Sequence, residues 1–106
     1  SIKKHNPTAR FDITIDAHLP PTQVPADNPL VSLISKHTES ILGTKPIPTG
    51  FSGVTVCKQL VEKGIMAVGF GPGDEDQAHV ANESIAIQEL LDFGKIMGLV
   101  ILDILK

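Results

Sequence analysis

Ile65-Met-Ala-Val-Gly-Phe70 is an uninterrupted apolar run, and it empties into Gly69-Phe-Gly-Pro-Gly-Asp74-Glu-Asp-Gln-Ala-His79-Val-Ala-Asn-Glu83, a glycine-rich turn that carries one histidine among four carboxylates. An apolar run without polar alternation is expected of a strand covered on both faces by helices, as in a parallel sheet. Ligands of such sheets gather where the strands end, so His79 stands where chemistry is done and the stretch reads as part of a metal site. A single histidine falls short of a zinc site, which takes roughly three or four protein donors. Most of the chemistry is therefore expected elsewhere.

Phe11-Asp-Ile-Thr-Ile-Asp-Ala-His18 has the opposite pattern, with Phe11, Ile13, Ile15 and Ala17 alternating with polar residues. That alternation predicts a strand with one wet face, the kind found in antiparallel sheets, so two different sheets are expected. Between them, Leu19-Pro-Pro-Thr-Gln-Val-Pro-Ala26 is too rich in proline for a helix and reads as a stiff spacer or hinge. Asp27 or Asn28 can cap a helix with Pro29 in its first turn and Gly43 at its end, with Leu30, Leu33, Ile34 and Ile41 on the apolar face. Pro46 to Phe51 reads as a short strand and turn, Val54 to Glu62 as a helix stopped at Gly64, and Gln88 to Leu105 as a core helix. Gly94 and Gly98 lie in that last helix and predict close packing against a neighbour, because each glycine costs a helix about 1 kcal/mol relative to alanine.

The chain has 106 residues, enough for one small core. A net charge of -3, with no basic stripe and no Trp or Tyr, argues against nucleic acid as a partner. Apolar stretches fall well short of the ~20 residues of a membrane span. Ser1 to Arg10 is polar and lacks the apolar segment of a secretion signal, so a cytoplasmic protein is expected. Cys57 has no partner for a disulfide within the chain and reads as a buried structural thiol. His5, His18 and His37 have no ligand spacing with one another and read as surface residues, as does Arg10. Gly69, Gly71 and Gly73 do not form a nucleotide loop, since Pro72 removes a backbone donor, no lysine follows and the acids repel phosphate. Asp74, Glu75 and Asp76 read as a solvated turn.

Taken in order, the apolar strand, Gly69-Phe-Gly-Pro-Gly-Asp74, His79-Val-Ala-Asn-Glu83, Ile87-Gln-Glu-Leu90 and a terminal helix resemble the carboxyl end of the dizinc amidohydrolases. That family includes acetylornithine deacetylase, succinyl-diaminopimelate desuccinylase, aminoacylase and carboxypeptidase G. The wet-faced strand, the Pro-Pro hinge, the Asn28-Pro29-Leu30 helix start and the Lys63-Gly64-Ile65 turn extend the resemblance over most of the chain. It implies an α/β fold, the C-terminal part of a zinc-peptidase-like catalytic domain with parallel strands and covering helices, preceded by the last strand of an inserted lid domain. Residues 1–19 would end the lid or dimerisation domain, 20–26 would be the return hinge and 27–106 would belong to the catalytic domain.

The resemblance further implies amide-bond hydrolysis of N-acyl amino acids or small peptides, two zinc ions per complete site with cobalt or manganese as alternatives, and a homodimer. His79 would be the last ligand of one zinc, with Glu83 or Asn82 orienting its second nitrogen. Gly71 and Gly73 would lie close to the ligand or the substrate. The stretch Ser52-Gly53-Val54-Thr55-Val56-Cys57-Lys58 departs from the family's Gly-Gly-Thr-Asp-Ala-Arg, because Val56 replaces the acid. Thr55 and the helix amino end still offer contact to an anionic group. The family's His-x-Asp, Glu-Glu and later acidic ligand motifs are absent from the sequence, so this chain alone is expected to be inactive and to need the rest of the catalytic domain. Two other readings are a non-catalytic structural or regulatory fragment that associates with a partner chain, and a small-molecule binding module built on the glycine turn.

Overall fold

Local capping signals set both ends of the second helix and the end of the third in the computed structural model, which describes residues 2–18, 21–51 and 53–106. Leu19 and Pro20 of the expected lid strand and hinge, Ser1, and Ser52 of the expected turn before the middle helix lie outside the described residues. A one-turn helix, α1 (Ile2–His5), opens the chain and was not anticipated from periodicity. Helix α2 (Pro29–Leu42) starts where Asn28 Oδ1 accepts the Leu30 N–H at 2.8 Å, with Pro29 at a position whose missing N–H costs nothing. It ends at Gly43, which has φ 74 and donates its N–H to the Glu39 carbonyl at 2.9 Å. An added Cβ at Gly43 meets no atom within 4 Å, so Gly43→Ala is expected to cost about 1–2 kcal/mol through left-handed strain alone. A denaturant titration of the variant measures it.

Helix α3 (Val56–Glu62) begins two residues later than periodicity suggests and closes in a Schellman turn. Gly64, at φ 75, donates to the Val61 carbonyl, and Ile65 donates to the Leu60 carbonyl at 2.9 Å. Helix α4 (Ile87–Leu105) is the longest element. It packs on α2 through Ile34, Ile96 and Val100, with Leu30, Leu33, Ile41 and Val68 against their edges. Ile96 and Val100 are each 2 % exposed, and nothing else in the described chain is so deeply enclosed.

The expected α/β class with parallel strands, the preceding lid strand and the short strand within 46–51 are all overturned: no strand forms among the described residues. Residues 11–18 are exposed along their whole length, with Ile13 and Ile15 at 78 % and 77 %. In the 65–70 run only Ala67 is buried and Val68 joins the helical core, while Ile65, Met66 and Phe70 remain open. The physical reason is that a strand is completed by a neighbour. Its N–H and C=O groups need a second backbone paired in register beside them, and neither segment is drawn into such a ladder among the described residues. The radius of gyration of 19.4 Å, against about 13 Å for a compact domain of this length, shows the same lack of enclosure. Cys57 is free and half-buried rather than fully buried.

His37 is also corrected, from surface residue to interior one. It is 8 % exposed on α2, and its Nε2 lies 2.6 Å from Asp103 Oδ2 on α4. Lys36 Nζ and Lys106 Nζ reach the two oxygens of the same carboxylate at 3.2 and 3.4 Å. These three donors, His37 foremost and Lys36 next, pull the Asp103 pKa down to about 2 against the opposing effect of desolvation. A carboxylate this acidic is an acceptor, so His37 Nε2 carries the proton. Because the folded pKa lies below the ordinary 3.8, the Asp103 contribution is complete above that value and is lost as the pH falls through it towards 2. Thermal melting between pH 5 and about 2 is therefore expected to show an acid-side loss that Asp103→Asn removes.

Helix α4 is apolar on a second side that no described residue covers. Ile87, Leu90, Leu91, Ile101, Leu102 and Leu105 share the face opposite Ile96 and Val100, and each is between 49 % and 77 % exposed. Gly94 and Gly98 lie on this same face, and a Cβ built on either meets no atom within 4 Å. The close packing expected of the glycine pair is not made among the described residues. No helix among them is long and apolar enough to cross a membrane.

Candidate functional site

The glycine-rich segment leaves the core at Val68 and is folded back against the start of α4. Gly73, at φ 105, donates its N–H to Glu89 Oε2 at 3.1 Å, and an added Cβ there would lie 3.6 Å from the Ile85 side chain. The Phe70 and Phe93 rings, 5.7 Å between centroids, hold the entry to the segment on the same helix. Asp74 then opens a short 3-10 turn, Glu75–Gln77, by accepting the Asp76 N–H on Oδ1 at 3.0 Å. Asp74, Glu75 and Asp76 are exposed, in keeping with a solvated turn.

His79 follows in an unusual backbone state. Ala78 has φ -61 and ψ 127, His79 has φ 63, and the Val80 N–H donates to the Gln77 carbonyl at 3.3 Å. This is a type II turn with histidine in the position that normally falls to glycine. Asn82, three residues on, also has a positive φ of 58. Asparagine and histidine tolerate this region better than most residues, yet each such residue stores about 1–3 kcal/mol that the surroundings must offset. The imidazole of His79 is exposed and makes no hydrogen bond, so both ring nitrogens are open to a ligand.

The other residues singled out from sequence are placed as follows. Asn82 and Glu83 sit in the same loop and are exposed, and no hydrogen bond joins either side chain to His79. Gly71 and Gly73 form the near side of the loop. Thr55 precedes α3, is exposed and makes no side-chain cap bond, and no hydrogen bond connects it to the histidine loop. Two residues that pattern reading passed over hold the loop together. Gln77 Oε1 accepts from the Ser84 N–H at 2.9 Å and the Ser84 hydroxyl at 3.3 Å, and Glu89 anchors Gly73. No local spacing signals either contact.

Among the described residues, no three of histidine, cysteine, aspartate and glutamate come close enough to hold a metal ion. His79 therefore stands without a cluster of companion donors among the described residues. A model of peptidase family M20/M25/M40 matches residues 4–103, nearly the entire length. The chain belongs to that family. No curated protein and no solved structure gives a significant match to it. The M20/M25/M40 family is hydrolytic and typically metal-dependent, which gives an open histidine in a strained turn a chemical context.

Proposed function

We propose that this M20/M25/M40 chain is the carboxyl-terminal segment of a zinc-dependent metallohydrolase that cleaves the amide bond of N-acyl amino acids or small peptides, and that His79 supplies one zinc ligand. The observation that carries this reading is the backbone of His79. A non-glycine residue kept at φ 63 in a type II turn, with its ring unengaged, is strain retained for the sake of the side chain. Neutral imidazole is a preferred zinc donor. When bound, zinc supplies Lewis-acid polarisation and activates water for attack on an amide. The part of this chain is to hold the metal from one side and to keep the ring aimed by the loop. Asn82 and Glu83 stand near enough in sequence to orient the second ring nitrogen once the loop closes on a metal, and Gly71 and Gly73 leave room for close approach.

The remaining ligands and the acid-base residue belong, on this reading, to the rest of the catalytic domain. The uncovered apolar face of α4 supports such completion, because six large aliphatic side chains in one stripe are seldom left to water. The same face is what favours the second reading, a non-catalytic segment that associates with a partner chain. The mass and metal content of the natural polypeptide separate the two. A mass several times 11.3 kDa with bound zinc and amidase activity supports the hydrolase. A metal-free species near that mass, found in complex with another protein, supports the partner segment and ends the hydrolase proposal.

A further inference from the structure

We infer that Gln77 is the positioning residue of His79. The inference rests on His79 being a metal ligand, and it assigns the residue that sets the ligand's direction. Gln77 acts at both ends of the strained stretch. Its main-chain carbonyl accepts the Val80 N–H and so closes the type II turn whose third residue is His79. Its side-chain carbonyl reaches across to Ser84 and accepts both the main-chain N–H and the hydroxyl, at 2.9 and 3.3 Å. One residue therefore ties off the loop 77–84, inside which His79 and Asn82 both hold positive φ. Of the other bonds of the segment, Asp74 Oδ1 to Asp76 N lies wholly on the amino side of the histidine, while Glu89 Oε2 to Gly73 N spans it only from a distance, pinning the start of the segment to α4 without closing the loop around His79.

Releasing the Gln77 side chain leaves the turn closed by a single 3.3 Å bond. His79 can then relax to negative φ, which redirects its Cβ and swings the ring away from its present aim. A ligand that must be re-aimed on binding holds its metal less tightly, and loss of groups that orient a metal-binding histidine typically costs about 10–100-fold in affinity.

Gln77→Leu keeps the size of the side chain and removes the acceptor, whereas Gln77→Glu keeps an acceptor oxygen. Two readouts follow each variant. The first is the intraresidue amide-to-Hα nuclear Overhauser effect of His79, which is strong only at positive φ. The second is zinc affinity of the metal-loaded enzyme by chelator competition. Gln77→Leu is expected to abolish the strong His79 signal and to weaken zinc by about 10–100-fold, and Gln77→Glu to restore both to near the parent values. An unchanged signal and unchanged zinc affinity in Gln77→Leu overturn the inference, as does a Gln77→Glu variant that behaves like Gln77→Leu. Should Gln77→Leu lose its helical circular dichroism, Gln77→Ala takes its place, since it removes the acceptor of both Ser84 bonds without adding apolar bulk. It must weaken zinc measurably, and an unchanged affinity overturns the inference. Failure of the underlying reading looks different: His79→Gly then retains full zinc affinity whatever Gln77 does to the loop.

Discussion

His79→Gly is expected to leave the loop folded and to empty one metal position. Glycine is the natural occupant of the third position of a type II turn, so the substitution relieves strain at φ 63 and deletes only the imidazole. Alanine is a poorer probe because it keeps the strain. In the complete metal-loaded enzyme, zinc measured by mass spectrometry should fall by about one equivalent per site, and kcat/KM by more than the ~100-fold upper end seen for groups that merely orient a ligand. Chemical denaturation of the metal-free chain should show little change, since relief of strain at φ 63 offsets the added backbone freedom of glycine. A variant that keeps both its zinc and its turnover removes His79 from the metal site, and with it the central claim of the proposed function.

Ile96→Ala should have the largest effect on stability. Ile96 is 2 % exposed at the middle of the α2–α4 contact, where the described residues place most of their enclosed apolar surface. Removing its outer carbons forfeits transfer energy and leaves a cavity that two rigid helices cannot close, at a cost of about 2–5 kcal/mol. The control lies on the same helix. Leu102 is 60 % exposed on the open face, and Leu102→Ala in a 106-residue polypeptide should change stability by less than about 0.5 kcal/mol. If further chain covers that face in the natural protein, the same substitution there should rise towards the cost of a core truncation. Comparing urea midpoints of Leu102→Ala in the two settings thus tests whether α4 has a second packing partner.

Features governed by neighbours a few residues apart were readable in advance. Asn28, Pro29 and Gly43 bracket α2 because capping needs only one side-chain oxygen, one missing N–H and one residue free to turn left-handed. Gly64 marks the end of α3 for the same reason, and α4 starts within one residue of the expected Gln88. The loop around His79 was readable as a turn from its glycines and acids. The strands were not, since apolar character in 65–70 and alternation in 11–18 describe which faces want covering and are silent on whether a second backbone is present to pair with them.

The interior place of His37 and the clasp made by Gln77 were beyond pattern reading for a related reason. His37 and Asp103 are 66 positions apart, and only the packing of α2 on α4 turns an apparently ordinary surface histidine into the partner of a carboxylate. Gln77 and Ser84 are seven positions apart across an irregular loop, where no fixed periodicity brings side chains together. By itself, then, this sequence determines its three longer helices, most of their ends and a histidine-bearing turn, because those depend on short-range sterics and hydrogen bonding. The tertiary structure decided which apolar faces meet, which polar groups are enclosed and how the histidine is aimed, because each of these depends on groups far apart in the chain being brought within a few ångströms of one another.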